Sequence, residues 1–319
     1  MPLPAAFAGR LALPAIVSPM FLVSGPDLVV ATCRAGLVGT FPALNQRTTA
    51  GYEAWLDEIR GRLDATSAPF GVNLIVHGSN RRLATDLEAT VKHRVPLVIT
   101  SLGAVKEVVD AVHSYGGLVF HDVINRRHAE KAAEAGVDGI IAVCAGAGGH
   151  GGLLSPFALV PEIRSFFDGT IVLAGAISTG AQILAARAIG ADLAYLGTRF
   201  VATAESIAAP GFKEMIVASR ASDIVYTSAI SGVNANFLRP SIVAAGLDPE
   251  NLPAHTKMDM EGEAKVWKDI WSAGQGVGSI DDVPSVAELT ARLTAEYEAT
   301  QTRLSVGRAT TEASGAGTS

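Results

Sequence analysis

The sequence predicts an α/β fold in which eight parallel strands close into a barrel with helices outside, and three observations favour it. Short apolar runs alternate with amphipathic stretches of helical length, a pattern typical of βα units around a parallel sheet. The runs number eight, as a closed barrel requires. A similar sequence pattern, which joins the end of a helix to the next strand, occurs twice, at residues 134–139 and 188–193. An open doubly wound sheet would use the same device and is the alternative fold.

The strands follow the apolar runs in chain order. We predict them at residues 15–20, 36–40, 70–76, 96–100, 117–121, 139–143, 170–174 and 191–196. Three of the intervening helices are predicted at 104–113, 126–135 and 181–189, because each stretch leads to a glycine, the usual residue after a helix C-terminus.

The βα repeat stops after the eighth strand. Residues 201–278 predict a mostly helical cap inserted there, with helices near 214–219 and 263–271. A last amphipathic helix over 286–303 returns to the outer ring, so the TIM (β/α)8 barrel comprises residues 1–200 and 279–305. The small polar residues 306–319 lack periodicity and predict a disordered tail.

Composition excludes several classes of protein. A hydrophobic content of 49% with 18% charged residues predicts a globular protein with a large core. The net charge of −6 is mild, and no Lys/Arg cluster is interleaved with aromatic residues, so nucleic-acid binding is not expected. No apolar stretch approaches the roughly 18 residues that span a bilayer. Two cysteines without metal-type spacing predict a cytoplasmic protein without a metal, and whether it forms a homodimer is open.

The most unusual stretch is the loop Cys144-Ala-Gly-Ala-Gly-Gly-His-Gly-Gly152, which follows the strand at 139–143 directly. Five of its nine residues are glycine and one is histidine. Glycine lets the backbone approach another group closely, at a cost in conformational entropy. In a closed barrel the strand C-termini converge on one face, where active sites lie. The loop therefore predicts a site with His150 pointing into it, and a plain surface turn is the alternative.

The seventh and eighth strands also end in glycine. Barrels frequently bind phosphate with the loops after these two strands and a nearby helix N-terminus, where free amides favour an anion. We therefore predict that Gly175, Ala176, Gly197 and Thr198 hold the phosphate of a ligand, with ordinary turns as the alternative. Residues 146–151 fit Gly-x-Gly-x-x-Gly, but Pro156 argues against a helix opening directly after them, so they are weak evidence for NAD.

Five motifs in order make the chain resemble the nitronate monooxygenase family, also called 2-nitropropane-dioxygenase-like flavoproteins. They are Phe70-Gly-Val-Asn-Leu74, Ala147-Gly-Gly-His-Gly151, Ala174-Gly-Ala-Ile177, Gly197-Thr-Arg-Phe200 and Trp271-Ser-Ala-Gly-Gln-Gly276. The resemblance covers nearly the entire barrel. It implies a TIM barrel with a helical cap, FMN bound without a covalent link, and oxidation of alkyl nitronates, or of neutral nitroalkanes, by O2 to carbonyl compounds and nitrite.

The resemblance also implies roles for single residues. His150 would be catalytic, since an imidazole with an ordinary pKa of about 6.5 exchanges protons near neutrality. The FMN contacts it implies are Pro19 and Met20 beneath the ring, Asn73 by a hydrogen bond, Gly148 and Gly149 along the ring, Gly175, Ala176, Gly197 and Thr198 at the phosphate, and Gln275 at the cofactor or substrate end.

Asp122 departs from this pattern. Some related flavin reductases have a lysine at the second position of the pair His121-Asp122, where it can neutralise reduced flavin, whereas here the sign is opposite. We expect the carboxyl near the ring, either neutral or paired with Arg199 or Lys257. Capping of the helix that starts near Asn125 is the alternative.

Two other functions stay open at this stage. An NAD(P)H-dependent FMN reductase on the same scaffold would act on quinones or enoyl thioesters. A flavin-binding sensor module would use the same glycine loops without turnover, and it would have no need for a proton-transfer group at His150.

Overall fold

The structure is a computed structural model that describes residues 3–103, 106–252 and 268–314, with side chains described as far as residue 305. Within these ranges the strands are β1 Ala15–Val17, β2 Val38–Pro42, β3 Phe70–Ile75, β4 Leu97–Ser101, β5 Leu118–Val123, β6 Gly139–Val143, β7 Gly149–His150, β8 Thr170–Ala174, β9 Leu193–Leu196, β10 Ile224–Thr227 and β11 Ala235–Leu238.

Eight of these strands form a closed parallel barrel in the order β1-β2-β3-β4-β5-β6-β8-β9. The ring closes where β1 pairs with β9, with Ile16 opposite Tyr195. The predicted TIM barrel is therefore confirmed, and the open doubly wound sheet is excluded because that sheet would leave these two strands as edges.

In the described part of the chain the α-helices are α1 Pro26–Arg34, α2 Thr49–Arg62, α3 Leu83–Lys92, α4 Lys106–His113, α5 Arg126–Glu134, α6 Pro156–Arg164, α7 Gly180–Ala188, α8 Thr198–Val201, α9 Pro210–Ala218, α10 Arg239–Ala244 and α11 Val286–Ser314. Side-chain caps fix several starts: Asn125 Oδ1, for example, accepts from the His128 N–H at α5, 2.9 Å away. The predicted glycine stops also hold, since Gly116, Gly136 and Gly190 have φ of +81°, +85° and +105°.

Alternate strand residues fill the barrel interior or face the helices. In β6, Ile141 belongs to the inner cluster and Ile140 to the layer between strands and helices. Phe7, from the segment before β1, packs its ring against Phe120 with the centroids 6.1 Å apart. The inner layer gives way to polar side chains at the carboxyl ends of the strands, which is where the cavity described below begins.

The cap differs from its prediction, because it contains a three-stranded antiparallel sheet in the order β10-β11-β7. His150 pairs with Ala235 in this sheet, so the glycine loop is joined to the cap. The predicted helix near 214–219 is α9, which begins earlier because Pro210 is a favourable first residue. Of the helix predicted at 263–271, residues 263–267 lie outside the described residues. Helix α11 passes the predicted end at Arg303 into the expected tail, and residues 315–319 lie outside the described ranges.

The contact between α7 and α11 supplies a stability prediction. A Cβ on Gly180 would collide with the backbone oxygen of Leu293 and lie 2.5 Å from the Tyr297 nitrogen. Gly180→Ala is therefore expected to lower the free energy of unfolding by about 1–3 kcal/mol through overpacking. Gly61→Ala, at a helix site with open space around it, is the control and should raise that energy by roughly 0.5–1 kcal/mol. Equal effects in urea titrations would contradict the close approach.

Candidate functional site

A cavity of about 1250 Å³ opens at the carboxyl ends of the barrel strands. Gln275 does not line it: this side chain is exposed, and its backbone N–H donates to the Gly146 carbonyl at 2.8 Å. The structure therefore brings together all but one of the residues predicted to form the site. Those that line the cavity are Pro19, Met20, Asn73, Asp122, Gly148, Gly149, His150, Gly175, Ala176, Gly197 and Thr198.

The glycine loop is held over the barrel mouth by the cap. Asn236 donates from Nδ2 to the Ala147 carbonyl at 2.6 Å, and the Gly149 N–H donates to Ser272 Oγ at 2.6 Å. A Cβ on Gly148 would lie 2.8 Å from the backbone nitrogen of Gly274. Glycine is thus required here by the approach of the protein's own backbone, in addition to any ligand. The loop fixes the strand that carries His150.

The loops after β8 and β9 form an anion-type cradle. Ala176 has φ of +54°, a conformation uncommon without glycine that is often found at ligand sites. Thr198 Oγ1 accepts from the Gly274 N–H at 2.8 Å, which leaves the hydroxyl hydrogen free to donate. Ser178 Oγ lines the same cavity, buried and without a hydrogen-bond partner in the described ranges. Backbone amides and two hydroxyls together suit a phosphate.

A chain of hydrogen bonds crosses three adjacent strands, β3, β4 and β5, near their carboxyl ends. Asn73 on β3 donates from Nδ2 to Ser101 Oγ at 2.8 Å, and the Ser101 hydroxyl donates to Asp122 Oδ2 at 2.6 Å. Nδ2 of Asn73 also donates to the Ile99 carbonyl at 3.2 Å, so this group, predicted to bind a cofactor, is used within the barrel wall. The chain holds one oxygen of Asp122 in place.

Asp122 titrates far above the usual range of a carboxyl. Burial raises its pKa from 3.8 to about 6, against the opposing effects of the Ser101 hydrogen bond and the charge of His150. Its Oδ1 is buried without a hydrogen-bond partner among the residues that the structure describes. The pKa of the neighbouring Tyr195 is raised well above its ordinary value, mainly because this side chain is buried and secondly because of the charge of Asp122. The carboxyl is therefore protonated in mildly acidic solution and ionised above it.

Two of the interpretations of Asp122 are wrong. Arg199 pairs instead with Asp282, with Nη2 and Oδ1 3.1 Å apart, because the buried guanidinium points away from the cavity toward the start of the last barrel segment. Helix α5 is capped by Asn125, whose side chain already accepts the bond that a capping Asp122 would take. Lys257 lies outside the described residues. What remains of the prediction is a carboxyl that lines the cavity, either neutral or paired with Lys257.

Other reactive groups in or near the cavity are not activated. Burial, and then the charge of His128, lower the pKa of His121 to about 4, and its Nδ1 lies 2.8 Å from Thr100 Oγ1. Burial raises the pKa of the Cys144 thiol to about 12, so it is a packed residue. In the described ranges, no three or more His, Cys, Asp or Glu side chains are grouped to hold a metal ion, and no helix is long and apolar enough to cross a membrane.

The rule for strand ends places Ser101 at the cavity, but sequence reasoning gave no role to Ser101, Tyr195 or Ser178. Ser101 and Tyr195 stand at or near strand ends, and Ser178 stands three residues beyond Gly175. A signal existed, since polar residues at the carboxyl ends of barrel strands face the site. The partners of Ser101, however, lie on separate strands, and only the barrel register brings them within hydrogen-bond distance.

Ser178 supplies a test of the anion cradle. Ser178→Ala removes a hydroxyl that has no partner in the described part of the protein, so the apoprotein should keep its stability. A phosphate bound there would lose one charge-assisted hydrogen bond, and its ligand should bind about 10- to 100-fold more weakly. The measurement is titration of the apoprotein with FMN and with riboflavin, which lacks the phosphate. Equal weakening for both compounds would contradict a phosphate at Ser178.

Comparison with known proteins decides the family. The sequence model described as nitronate monooxygenase matches residues 10–296. The chain belongs to the nitronate monooxygenase family. Its members are oxidoreductases, and the match confirms the resemblance carried by the five motifs.

Individual relatives agree with this family. A nitronate monooxygenase of Paraburkholderia phytofirmans is 30% identical over 284 residues, which cover 75% of this chain and 76% of that protein. The nitroalkane oxidase of Streptomyces ansochromogenes is similar in structure, with a TM-score of 0.80 and 26% identity over 94% of this chain and 100% of that chain.

Another relative has a different name. It is the (3aS,4S,5R,7aS)-5-hydroxy-7a-methyl-1-oxo-octahydro-1H-indene-4-carboxyl-CoA dehydrogenase of Rhodococcus jostii, 28% identical over 230 residues and 72% of this chain. The chain spans 64% of that dehydrogenase, slightly under two thirds of its length.

Proposed function

We propose that this family member is an FMN-dependent oxidoreductase that oxidises alkyl nitronates with O2 to carbonyl compounds and nitrite. The observation that carries the proposal is that the anion cradle after β8 and β9 and His150 on β7 line the same cavity. FMN, when bound, would supply the redox chemistry by taking electrons from the substrate and passing them to O2.

The residues of the cradle fit the cofactor. The amides at Ala176, Gly197 and Thr198 and the hydroxyl of Ser178 would hold the FMN phosphate, as buried donors aimed into one cavity do for anions. Pro19 and Met20 on one side, and Gly148 and Gly149 on the other, would lie along the flat ring. These contacts support the cofactor that the family resemblance implies.

His150 would handle the proton of the reaction. With a neutral nitroalkane, its imidazole would take the proton from the carbon next to the nitro group. With a nitronate, its protonated form would hold the anion. β7 is paired with β11 and the Gly149 N–H donates to Ser272, so the backbone that carries His150 is held in place, which supports this role.

The two parts of the chain would divide the work. Residues 1–200 and 279–305 would bind the cofactor, while residues 201–278 would shape the substrate side through Tyr226, Asn234 and Trp271, which line the cavity. The neighbouring cap residues Asn236 and Phe237 are buried outside the lining. A cytoplasmic location is part of the same proposal, since both cysteines are free and buried.

A second candidate function is oxidation or reduction of a thioester. One observation favours it, the relative that is named as a carboxyl-CoA dehydrogenase. The same cradle and the same histidine would serve this reaction. The two candidates therefore differ in which compound the protein turns over, a nitronate or a thioester.

Oxygen uptake tests the proposal. The flavin-loaded protein should consume O2 with alkyl nitronates and release nitrite, without any nicotinamide present. The panel should include primary and secondary nitronates, the neutral nitroalkanes, NADH and NADPH. Uptake with NADH or NADPH alone, and none with any nitronate, would reject the nitronate reaction in favour of a reductase.

A further inference from the structure

Two polar atoms in the cavity wall are buried without a hydrogen-bond partner in the part of the chain that the structure describes. They are Oδ1 of Asp122 and the hydroxyl oxygen of Tyr195, and both side chains line the cavity. Buried polar groups nearly always have partners, and an orphaned one is commonly explained by a catalytic role or by a bound water or ion. The two atoms therefore mark a part of the wall where a polar group or a proton is handled.

The two side chains reach this place from different sides of the barrel. Asp122 lies on β5 and Tyr195 on β9, three strands apart in the ring of eight. Tyr195 packs against the inner apolar cluster, which includes Ile16 and Ile141, and the charge of Asp122 acts on it. The carboxyl and the phenol are thus neighbours beside an apolar interior, where charges interact more strongly than in water.

The groups around Asp122 differ in whether they can accept a proton near neutral pH. Burial keeps the pKa of Tyr195 well above its ordinary value, so the phenol already holds its proton. The pKa of His121, which precedes Asp122 on β5, is lowered to about 4, mainly by burial, so this imidazole stays neutral. His150 on β7 also acts on Asp122, but the proposed reaction already uses it for the substrate. Asp122 is the acceptor that has no other task.

The ionised form of Asp122 is poorly stabilised. Oδ2 accepts from the Ser101 hydroxyl at 2.6 Å, whereas Oδ1 has no partner among the described residues. Among the lining residues that the structure describes, Asp122 is the single acid, and His128 and Lys131, on the helix after β5, line the same cavity. Because like charges oppose ionisation, negative charge that arrives in the cavity would increase the affinity of this carboxylate for a proton.

We propose that Asp122 is the proton acceptor that balances charge in the cavity: it takes up one proton from solvent when the bound flavin gains an electron pair from the substrate. It releases that proton when the electron pair passes to O2. The proton goes to Oδ1, because Oδ2 already accepts from Ser101. This inference deepens the proposed function and rests on its flavin, but it does not depend on which compound donates the electrons.

The test is the midpoint potential of the flavin-loaded protein between pH 5 and pH 8.5, measured with a chemical reductant and no substrate. An extra proton taken up with an electron pair changes the equilibrium constant tenfold per pH unit, which lowers the potential by about 30 mV. Above about pH 6 the unaltered protein should show a slope steeper by this amount than Asp122→Asn. Asp110→Asn, the same change on exposed α4 outside the cavity lining, should match the unaltered protein.

Infrared difference spectra of reduced against oxidised protein at pH 7.5 identify the group that takes the proton. The carbonyl band of a protonated carboxyl should appear on reduction in the unaltered protein and in Tyr195→Phe, and it should be absent in Asp122→Asn. Ser101→Ala loses the hydrogen bond that favours the ionised carboxyl, so its steeper slope should begin at a higher pH.

The outcomes separate this inference from the proposed function. With flavin bound, equal slopes in the unaltered protein and Asp122→Asn overturn the inference alone, and so does a steeper slope without the carboxyl band, because the proton then lies on another group. A steeper slope with the band, in a protein that does not turn over nitronates, supports Asp122 and rejects only the substrate. If the protein binds no flavin, the proposed function and the inference both fail.

Discussion

Replacing His150 by alanine is expected to lower turnover about 10²- to 10⁴-fold while FMN remains bound. The imidazole lines the cavity, but its strand is fixed by backbone pairing with Ala235 and by the bond from the Gly149 N–H to Ser272, which the substitution leaves intact. The anion cradle lies on separate loops. The measurement is kcat with a nitronate, together with the flavin absorbance of the purified variant.

Two further variants sharpen this result. His150→Gln keeps a polar side chain but has no group that titrates, so the part of the pH dependence that comes from His150 should be lost, while the limb assigned to Asp122 should remain. His113→Gln changes a histidine that does not line the cavity and bonds Asp138, and it should keep normal turnover. Normal turnover in His150→Ala across the pH range would remove this residue from the mechanism. Absence of turnover in the unaltered protein, with FMN bound, would favour a sensor module.

Asp122→Asn is expected to stabilise the protein at neutral pH. Burial raises the pKa of this carboxyl from 3.8 to about 6, so the folded state keeps a proton that the unfolded state releases. Stability of the unaltered protein therefore falls as pH rises between about 4 and 6, by about 3 kcal/mol from this group. The asparagine variant has no proton to lose and should gain this amount, relative to the unaltered protein, between pH 4 and pH 7.5.

Urea titrations at these two pH values measure the difference, and Ser101→Ala is the matched control. It keeps the carboxyl but removes the hydrogen bond that lowers its pKa, so the fall in stability should extend to higher pH. Kinetics offer a second readout, because a limb near pH 6 in the profile of kcat/KM should disappear in Asp122→Asn. Identical pH dependence of stability in Asp122→Asn and the unaltered protein would contradict a buried, protonated carboxyl.

The barrel could be predicted from the sequence because its signals are local. An apolar run such as residues 139–143 is recognisable without its neighbours, and that strand has the predicted bounds in the structure. The rule that strand C-termini share one face then places residues from distant parts of the chain in one cavity, and it brought Asn73, Asp122 and Thr198 together.

The parts that could not be predicted depend on pairing between distant segments. Nothing near His150 in sequence indicates that it pairs with Ala235, because the two-residue strand β7 has no periodicity of its own. Gly148 is predicted to make room for a flat ring, but a Cβ added at this position would also meet the backbone of Gly274. Gln275 follows a motif glycine, but its exposed side chain lies against Gly146 outside the cavity lining, at the start of a short helical turn.

The most direct test of the central claim, nitronate oxidation at a flavin beside His150, is rapid anaerobic mixing of the yellow protein with a nitronate or with NADPH. We predict that the nitronate bleaches the flavin absorbance at a rate no slower than turnover, that His150→Ala slows this step, and that NADPH causes no comparable bleaching. Rapid bleaching by NADPH, with no change on addition of a nitronate, would contradict the account.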